Sequence, residues 1–462
     1  MIEIFNNTGQ YEYEIHSLTK AFFPEEEIKV TEAIRQENGE TCLIYCFSEG
    51  NRQKVTVSAE DRDTFKRSLY DRLSVMTGKV LPWGSLTGIR PVRLAIRRLE
   101  KGMGVGETAD AMMQDYRVSE EKARLAVEIA EREKKILAGL EKGSCSLYVN
   151  IPFCPTTCLY CSFTSNRIGK DREMVRSYLS ALFREMETVS ALFAGRIIDT
   201  VYIGGGTPTT LEPDELDELL GRIRRQFDLC KLKEFTVEAG RPDTVTREKL
   251  RVLRQNGVSR ISINPQTMNE NTLRVIGRAH TPEDIVRAFM MAREEGFDNI
   301  NMDLILGLPQ ETIKEVEYTL QRVSELDPDN LTVHSLAVKR ASALREVIDE
   351  KGYILESDTA LMMDLAIERC RKAGLLPYYL YRQKNMSGNL ENTGFAKEGK
   401  PGIYNILINE EVCDILALGA GAISKKVDED GTCRRSANFK MLDQYIANAD
   451  GMGLRKEKLF GR

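Results

Sequence analysis

Three of the chain's ten cysteines, Cys154, Cys158 and Cys161, stand within eight residues at C-x3-C-x2-C spacing. Thiolates are the soft ligands that hold iron–sulfur clusters and zinc. A structural zinc takes four ligands. The fourth would have to be Cys145, on the far side of the strand leading into the motif, or one of the distant cysteines. Three clustered thiols with no fourth nearby instead suit a [4Fe–4S] cube with one open iron, which can bind and activate a small ligand. A zinc site and three small buried hydrophobes are the alternatives. Only three histidines occur, His16, His280 and His334, so a histidine-rich metal site is nearly excluded.

A second feature is Tyr202-Ile-Gly204-Gly205-Gly206-Thr207-Pro208. Three glycines let a backbone approach a ligand closely, and a tight strand-to-helix turn explains them equally well. No Gly-Lys-Ser/Thr follows, so this is not a phosphate-binding Walker loop, and the spacing is not the dinucleotide fingerprint. Polar residues then recur near the C-terminal ends of strand-like runs: Glu238, Asn264, Gln266, Asp303 and His334. Each alone is compatible with a cap or a loop. Asp303, flanked by Met302, Leu304 and Ile305, is the hardest to explain that way, because a carboxylate in an apolar run needs a partner.

These residues must be positioned by a regular alternation of elements. Strand-like runs at 146–151, 199–203, 234–239, 259–263, 300–305 and 330–336 alternate with amphipathic helical runs at 171–192, 213–227, 247–256, 282–295, 313–326 and 358–373. The strands read as near-continuously apolar, hence buried on both faces and parallel. Right-handed crossovers curl such units into an arc. Eight would close a barrel; six predict an α/β fold built on an open, partial (β/α)6 barrel. The cysteines fall in the loop after its first strand, and the polar residues at the C-terminal ends of the others, where parallel barrels gather ligand-binding groups.

At roughly 150 residues per domain, 462 residues make about three. Residues 1–58 read as strands and 61–140 as helices, with Asp61, Pro91 and Ser119 as helix starts. This predicts an α+β domain over 1–143, the barrel over 144–376, and a smaller C-terminal region over 377–462 that could cover a substrate. Arg90, Arg93, Arg97 and Arg98 form a basic cluster in the first domain, either a solvated face or a contact for an acidic substrate or partner. A net charge of −5 argues against a non-specific nucleic-acid binder. No uncharged apolar run reaches the roughly 18 residues of a membrane span, the longest, near 415–424, being short and Gly-rich. The N-terminus lacks signal-peptide features. The expectation is a soluble cytoplasmic protein.

The cysteine loop on the first strand and the Gly-Gly-Gly-Thr-Pro turn on the second together resemble the radical S-adenosylmethionine (SAM) superfamily. Leu147-Tyr-Val-Asn-Ile-Pro-Phe-Cys154, Val237-Glu-Ala239, Arg260-Ile-Ser-Ile-Asn-Pro-Gln266, Gly277-Arg-Ala-His280 and Asp303-Leu-Ile-Leu-Gly-Leu-Pro309 resemble oxygen-independent coproporphyrinogen III oxidases and their relatives. Leu86-Thr-Gly-Ile-Arg-Pro91 and Cys158-Leu-Tyr-Cys-Ser-Phe-Thr-Ser165 resemble the HemZ-type branch. The resemblance implies a [4Fe–4S] cluster held by Cys154, Cys158 and Cys161, with SAM on the open iron. It places Tyr148 and Tyr160 beside SAM, Gly205, Gly206 and Thr207 against its amino or methionyl part, and Glu238 on its ribose or amino group. Gln266, Arg278 and Asp303 complete that site, and Ile305 packs on the adenine. No catalytic side chain is assigned beyond the cluster and SAM.

The implied reaction is oxygen-independent oxidative decarboxylation of coproporphyrinogen III to protoporphyrinogen IX in heme biosynthesis. It needs a tetrapyrrole substrate and a reductant such as flavodoxin or ferredoxin. The oxidases carry a further cysteine two residues after the third ligand, where this chain has Phe163. Relatives with other roles, a heme chaperone and an enzyme acting on another tetrapyrrole, therefore remain as alternatives. Arg382, Gln383 and Asn405 could supply donors to propionates.

Overall fold

The computed structural model describes all residues except 8, 25, 33–40, 48–50, 59, 89, 142, 162–165, 169–171, 338–342, 352–357, 383–389 and 462. The side chains of 41, 42, 345, 348, 349 and 351 are also outside it. Phe163 and Gln383 therefore lie outside the described residues. The chain divides into two compact units, Met1–Arg132 with Leu380–Glu391, and Glu133–Tyr379 with Asn392–Arg462. Asn392–Arg462 groups with the second of these units.

In the first unit, β1 (Ile2–Asn6), β2 (Ile28–Glu32), β3 (Thr41–Phe47) and β4 (Arg52–Val57) form a sheet ordered β2-β1-β3-β4. Its core is Ile2, Ile4, Leu43 and Tyr45 against Ile15, Leu18, Phe22, Phe65 and Leu69. Strands throughout 1–58 are not what forms: Glu12–Phe22 is a helix. Its buried Ile15, Leu18, Thr19 and Phe22 recur at helical spacing, which the sequence carries plainly. The predicted starts hold. Asp61 accepts hydrogen bonds from the amides of Asp63 and Thr64 at the head of Arg62–Thr77, and Pro91 is the first residue of Pro91–Glu100. Arg98 of the basic cluster pairs with Asp115 at 2.6 Å. Arg382 is 4% exposed and donates to Leu86 O at 2.6 Å, so its guanidinium is a structural group of this unit rather than an open propionate donor.

The second unit is built on one mixed sheet. Its strands are β5 (Cys145–Ile151), β8 (Ile198–Gly205), β9 (Glu234–Glu238), β10 (Arg260–Ser262), β11 (Ile300–Leu306) and β12 (Asn330–Ser335), followed by β13 (Leu376–Tyr381), β14 (Asn392–Ala396), β15 (Asp414–Leu418), β16 (Ile423–Val427) and β17 (Cys433–Ala437). The two-residue strands β6 (Phe153–Cys154) and β7 (Asn166–Arg167) pair separately. The sheet order is β13-β14-β12-β11-β10-β9-β8-β5-β15-β16-β17. The six predicted strands are present, adjacent and parallel, and among the described residues no closed barrel forms. A seventh parallel strand, β15, lies beyond β5 with Ala417 opposite Tyr148. Residues 414–437 of the C-terminal segment thus join this sheet, extended by the antiparallel β16 and β17.

The strands are not apolar on both faces. Leu147, Val149, Val201, Ile203, Phe235, Val237, Ile261, Met302, Leu304, Leu331 and Val333 form one buried face, under the connecting helices. The register aligns the other residues into a polar inner face, with Ser146 opposite Thr200, Tyr148 opposite Tyr202, Ser262 opposite Glu238 and Asp303 opposite Thr332. That alternation, with period two, is the signature of a sheet with a working interior.

The C-terminal helices are held by a buried ion pair. Glu185 on Glu173–Leu192 is 0% exposed and accepts from Lys456 Nζ (2.5 Å), Tyr445 OH (2.6 Å), Asn438 Nδ2 (2.7 Å) and Gly419 N (2.8 Å). Removing one partner of such a pair strands the other charge in a dry site. Lys456→Met should therefore lower stability by about 3–5 kcal/mol, read as a drop in the urea midpoint. Adding Glu185→Gln to it should recover much of the loss.

Candidate functional site

The inner face changes character along the strands. Toward their N-terminal ends Ser146, Thr200, Glu234, Thr236, Arg260, Asn301, Asn330 and Thr332 are all buried. Toward their C-terminal ends Tyr148, Asn150, Tyr202, Glu238, Asp303 and His334 are half-buried. The lower end is closed by the helix Ile403–Glu410. Its first amides, Ile403 N and Tyr404 N, donate to the Glu234 carboxylate at 2.6 and 3.3 Å. A carboxylate there also complements the positive end of the helix. Tyr404 stacks on Tyr202 at 4.5 Å and on Tyr148 at 6.1 Å. The result is a polar inner face capped at one end by this helix, with its half-buried residues at the other end, where the sequence places its functional residues.

The cysteine loop is fastened across that opening. Leu159 N donates to Ile276 O at 3.0 Å, Thr156 Oγ1 to Gly277 O at 3.3 Å, and Cys161 N to Cys158 O at 3.0 Å. Cys154 Sγ lies 3.5 Å from Thr207 Oγ1, and Cys158 Sγ lies 3.8 Å from Arg241 Nη1. Among the described residues no group of three or more His, Cys, Asp or Glu side chains is drawn together closely enough to hold a metal ion. The donor chemistry nonetheless fits a thiolate-held cluster: three thiols on one short loop that is hydrogen-bonded to the turn after Glu270–Val275 and to the glycine turn. Cys145 is buried at the opposite end of β5, away from the motif.

The glycine turn serves that loop directly. Gly206 N donates to Ile151 O at 2.9 Å and Thr207 N to Phe153 O at 2.7 Å. A Cβ on Gly206 would stand 2.5 Å from Phe153 O, and one on Gly205, at φ 110°, would stand 1.8 Å from Asn150 Oδ1. The glycines are thus required for strand β8 to pass beneath the loop, and two of the turn's amides are already used there.

The carboxylates sit in different fields. Burial pushes the Glu238 carboxyl up to about 7, with Asp303 adding to the rise, against the opposing hydrogen bond from Tyr202 OH at 2.5 Å. Burial would raise Asp303 too. His334, 3.9 Å away, and hydrogen bonds from Asn301 and Thr332 outweigh it and hold Asp303 below its ordinary range. Gln266 adopts φ 67° and is tied into β11 on both sides, its N–H donating to Asp303 O (2.9 Å) and its carbonyl accepting from Ile305 N (3.0 Å). Ile305 is 8% exposed. Arg278 donates to Asn264 O at 2.5 Å and also interacts with Tyr160 and Cys158. Every predicted site residue thus falls in one connected neighbourhood. Asn264 Oδ1, Gln266 Oε1 and Arg278 Nε are buried there without a hydrogen-bond partner among the described residues, the condition of a site shaped for a polar ligand. His280, 3% exposed, is likewise unpartnered, and burial holds its imidazole down at about 4.

Sequence reasoning missed Arg241 and Tyr404. Arg241 stands three residues after Glu238, a spacing that the run of strand-end polar residues could have flagged. Tyr404 lies in a segment with no strand signal at all.

Residues 148–323 match the family model described as the radical SAM superfamily. The chain is a member of that superfamily, in the group of coproporphyrinogen III oxidase-like proteins. It is 41% identical over 390 residues to the oxygen-independent coproporphyrinogen-III oxidase-like protein HemZ of Bacillus subtilis (strain 168), covering 83% of this chain and 78% of that one. It is 34% identical over 282 residues to the heme chaperone HemW of the same organism, over 60% and 70% of the two chains. Among solved structures, coproporphyrinogen III oxidase (HemN) from Escherichia coli superposes with a TM-score of 0.57 at 28% identity, over 69% of this chain and 72% of that one. Membership implies a [4Fe–4S] cluster and SAM. Among the described residues no helix is long and apolar enough to cross a membrane.

Glu238 gives this site a pH signature. Its folded-state carboxyl titrates near 7, above the unfolded value, so the folded protein holds the proton more tightly. Stability of the SAM-free protein should fall as pH rises from about 4.5 through 7 by about 1–3 kcal/mol. Glu238→Gln should flatten that slope and be the more stable form at pH 8, with the difference vanishing near pH 4, in urea unfolding followed across pH.

Proposed function

We propose that the chain is a radical SAM enzyme that oxidatively decarboxylates coproporphyrinogen III. The observation that carries this is the polar inner face, capped below by Ile403–Glu410, whose half-buried end lies with the hydrogen-bonded cysteine loop. The likeness to HemZ over most of both chains and to the HemN fold supplies the substrate class.

Cys154, Cys158 and Cys161 would hold the cluster, and SAM would lie between the loop and the strand ends. Bound together, these groups supply a one-electron reductive cleavage whose product can remove a hydrogen atom from an unactivated carbon. The chain's own task is binding, orientation and exclusion of water. Arg278 is placed for a carboxylate, its guanidinium being buried with Nε unpartnered. Asp303, held ionised, accepts hydrogen bonds from a hydroxyl or an ammonium group. Glu238 does the same once a cationic ligand draws off its proton. Gly205, Gly206 and Thr207 keep strand β8 close under the loop, and Tyr148, Tyr160, Gln266 and Ile305 would contact the cofactor. The closed lower end keeps bulk water from reaching the reacting atoms from behind.

The deciding experiment is an anaerobic assay of the reconstituted protein with SAM, a strong reductant and coproporphyrinogen III, reading 5′-deoxyadenosine and porphyrin mass together. Deoxyadenosine with loss of two carboxyl groups is the expected result. Deoxyadenosine that does not rise with substrate, together with stoichiometric heme binding, would replace this reading with that of a chaperone.

Two variants test the residue roles. Cys158→Ala should lose iron by more than the roughly 10–100-fold typical of losing a mere outer-shell partner. Asp303→Asn should keep its iron and weaken SAM binding about 10–100-fold, the scale of one charged hydrogen bond.

A further inference from the structure

The cysteine loop meets one buried cation to which neither the motif nor the family resemblance gives a role. Arg241 is 3% exposed. One edge of its guanidinium is clamped by Asp243, with Nε to Oδ1 at 3.0 Å and Nη2 to Oδ2 at 2.9 Å. The remaining nitrogen, Nη1, points back into the loop. It reaches Thr156 Oγ1 at 2.7 Å, Thr156 O at 3.3 Å and Cys158 Sγ at 3.8 Å. Because the guanidinium is rigid and planar, fixing one edge on Asp243 fixes where Nη1 points. The Asp243 side chain is 28% exposed against 3% for its partner, so the pair is oriented with its cation inward, on the sulfur side.

We propose that Arg241 is a positioning and tuning residue for the cluster, donating an N–H and a positive charge to the Cys158 sulfur. This rests on the reading of Cys154, Cys158 and Cys161 as ligands. Reduction of a thiolate-held cluster by an external one-electron donor adds one negative charge and makes or breaks no other bond. Potentials of such clusters follow net charge, hydrogen bonds to the sulfurs and burial. A cation at hydrogen-bond distance from a ligand sulfur, away from screening solvent, favours the reduced state over the oxidised one. Arg241 makes all these contacts within the chain itself, so its effect is present before SAM arrives.

The test is the midpoint potential of the anaerobically reconstituted protein, titrated without SAM or tetrapyrrole, in the wild type, Arg241→Gln and Arg241→Lys. Iron and sulfide content and a thermal melt are recorded for each. Arg241→Gln is expected to shift to a more negative potential. Arg241→Lys, which keeps the charge and loses the fork, should shift less. Arg241→Gln with full iron and the wild-type potential overturns the inference. Should Arg241→Gln hold no iron, Arg241→Lys decides alone: a displaced potential supports the inference and an unchanged one overturns it. A wild-type protein that holds no cluster overturns the ligand assignment and this inference together, whereas a normal wild-type cluster with unshifted variants overturns the inference only.

Discussion

A parallel sheet that turns a polar face inward must close that face wherever it does not work, because buried polar groups need partners. The second unit does so in part at one end, where Arg260 Nε and Nη2, Asn330 Oδ1 and Tyr404 OH still have no hydrogen-bond partner among the described residues. Glu234 takes the first amides of Ile403–Glu410, Thr200 donates to Ser146, and Thr332 donates to Asn301. What remains half-exposed is the upper row, Tyr148, Tyr202, Glu238, Asp303 and His334. The location of the site is thus decided from below as much as from above. The helix caps one end, and the half-buried groups lie at the other, next to the loops after the strands.

The cysteine loop depends on the same sheet. Its thiols come from a segment with little regular structure, and their placement is borrowed from neighbours: the backbone of Ile276 and Gly277, the glycine turn after β8, and Arg241. A side chain at Gly205 would collide with Asn150 Oδ1. Asn150 itself donates to Ala420 O at 2.6 Å, and Gly419 N donates to Glu185. The buried Glu185–Lys456 pair therefore bears on the strand end that launches the cysteines, through a short series of hydrogen bonds. The C-terminal segment acts from the edge and the floor of the sheet.

The six strands, their parallel order and the open barrel were legible in the sequence because apolar runs and helical periods alternate cleanly there. The cysteines were legible because their spacing is rare. The inner face was harder to see. In 234–238 the order Glu-Phe-Thr-Val-Glu is strict alternation, and 300–304 reads Ile-Asn-Met-Asp-Leu, yet buried threonine and asparagine resemble interruptions until the register aligns them. Asp303 seemed isolated for that reason; across the sheet it has Thr332, and beside it Asn301 and His334. The helix Ile403–Glu410 escaped because its function is to fill, and filling leaves no motif. Strand β15 was visible only as an apolar segment, since nothing local says that it returns to pair with β5.

Glu238 and Asp303 show how one face can hold two carboxyls in different states. They lie on strands separated only by β10, and the Asp303 charge adds to the rise at Glu238. Asp303 is served by His334, Asn301 and Thr332, so ionisation is favoured there despite burial. Glu238 has the Tyr202 hydroxyl and the Gly205 amide, too little to offset burial and the neighbouring charge. Environments that push two acids apart in this way divide their roles. Under the proposed reading SAM brings both an ammonium and a sulfonium charge into this pocket. A cation arriving there favours the ionised form of the second carboxyl, so binding shifts its proton equilibrium and the site carries less uncompensated negative charge before the ligand arrives.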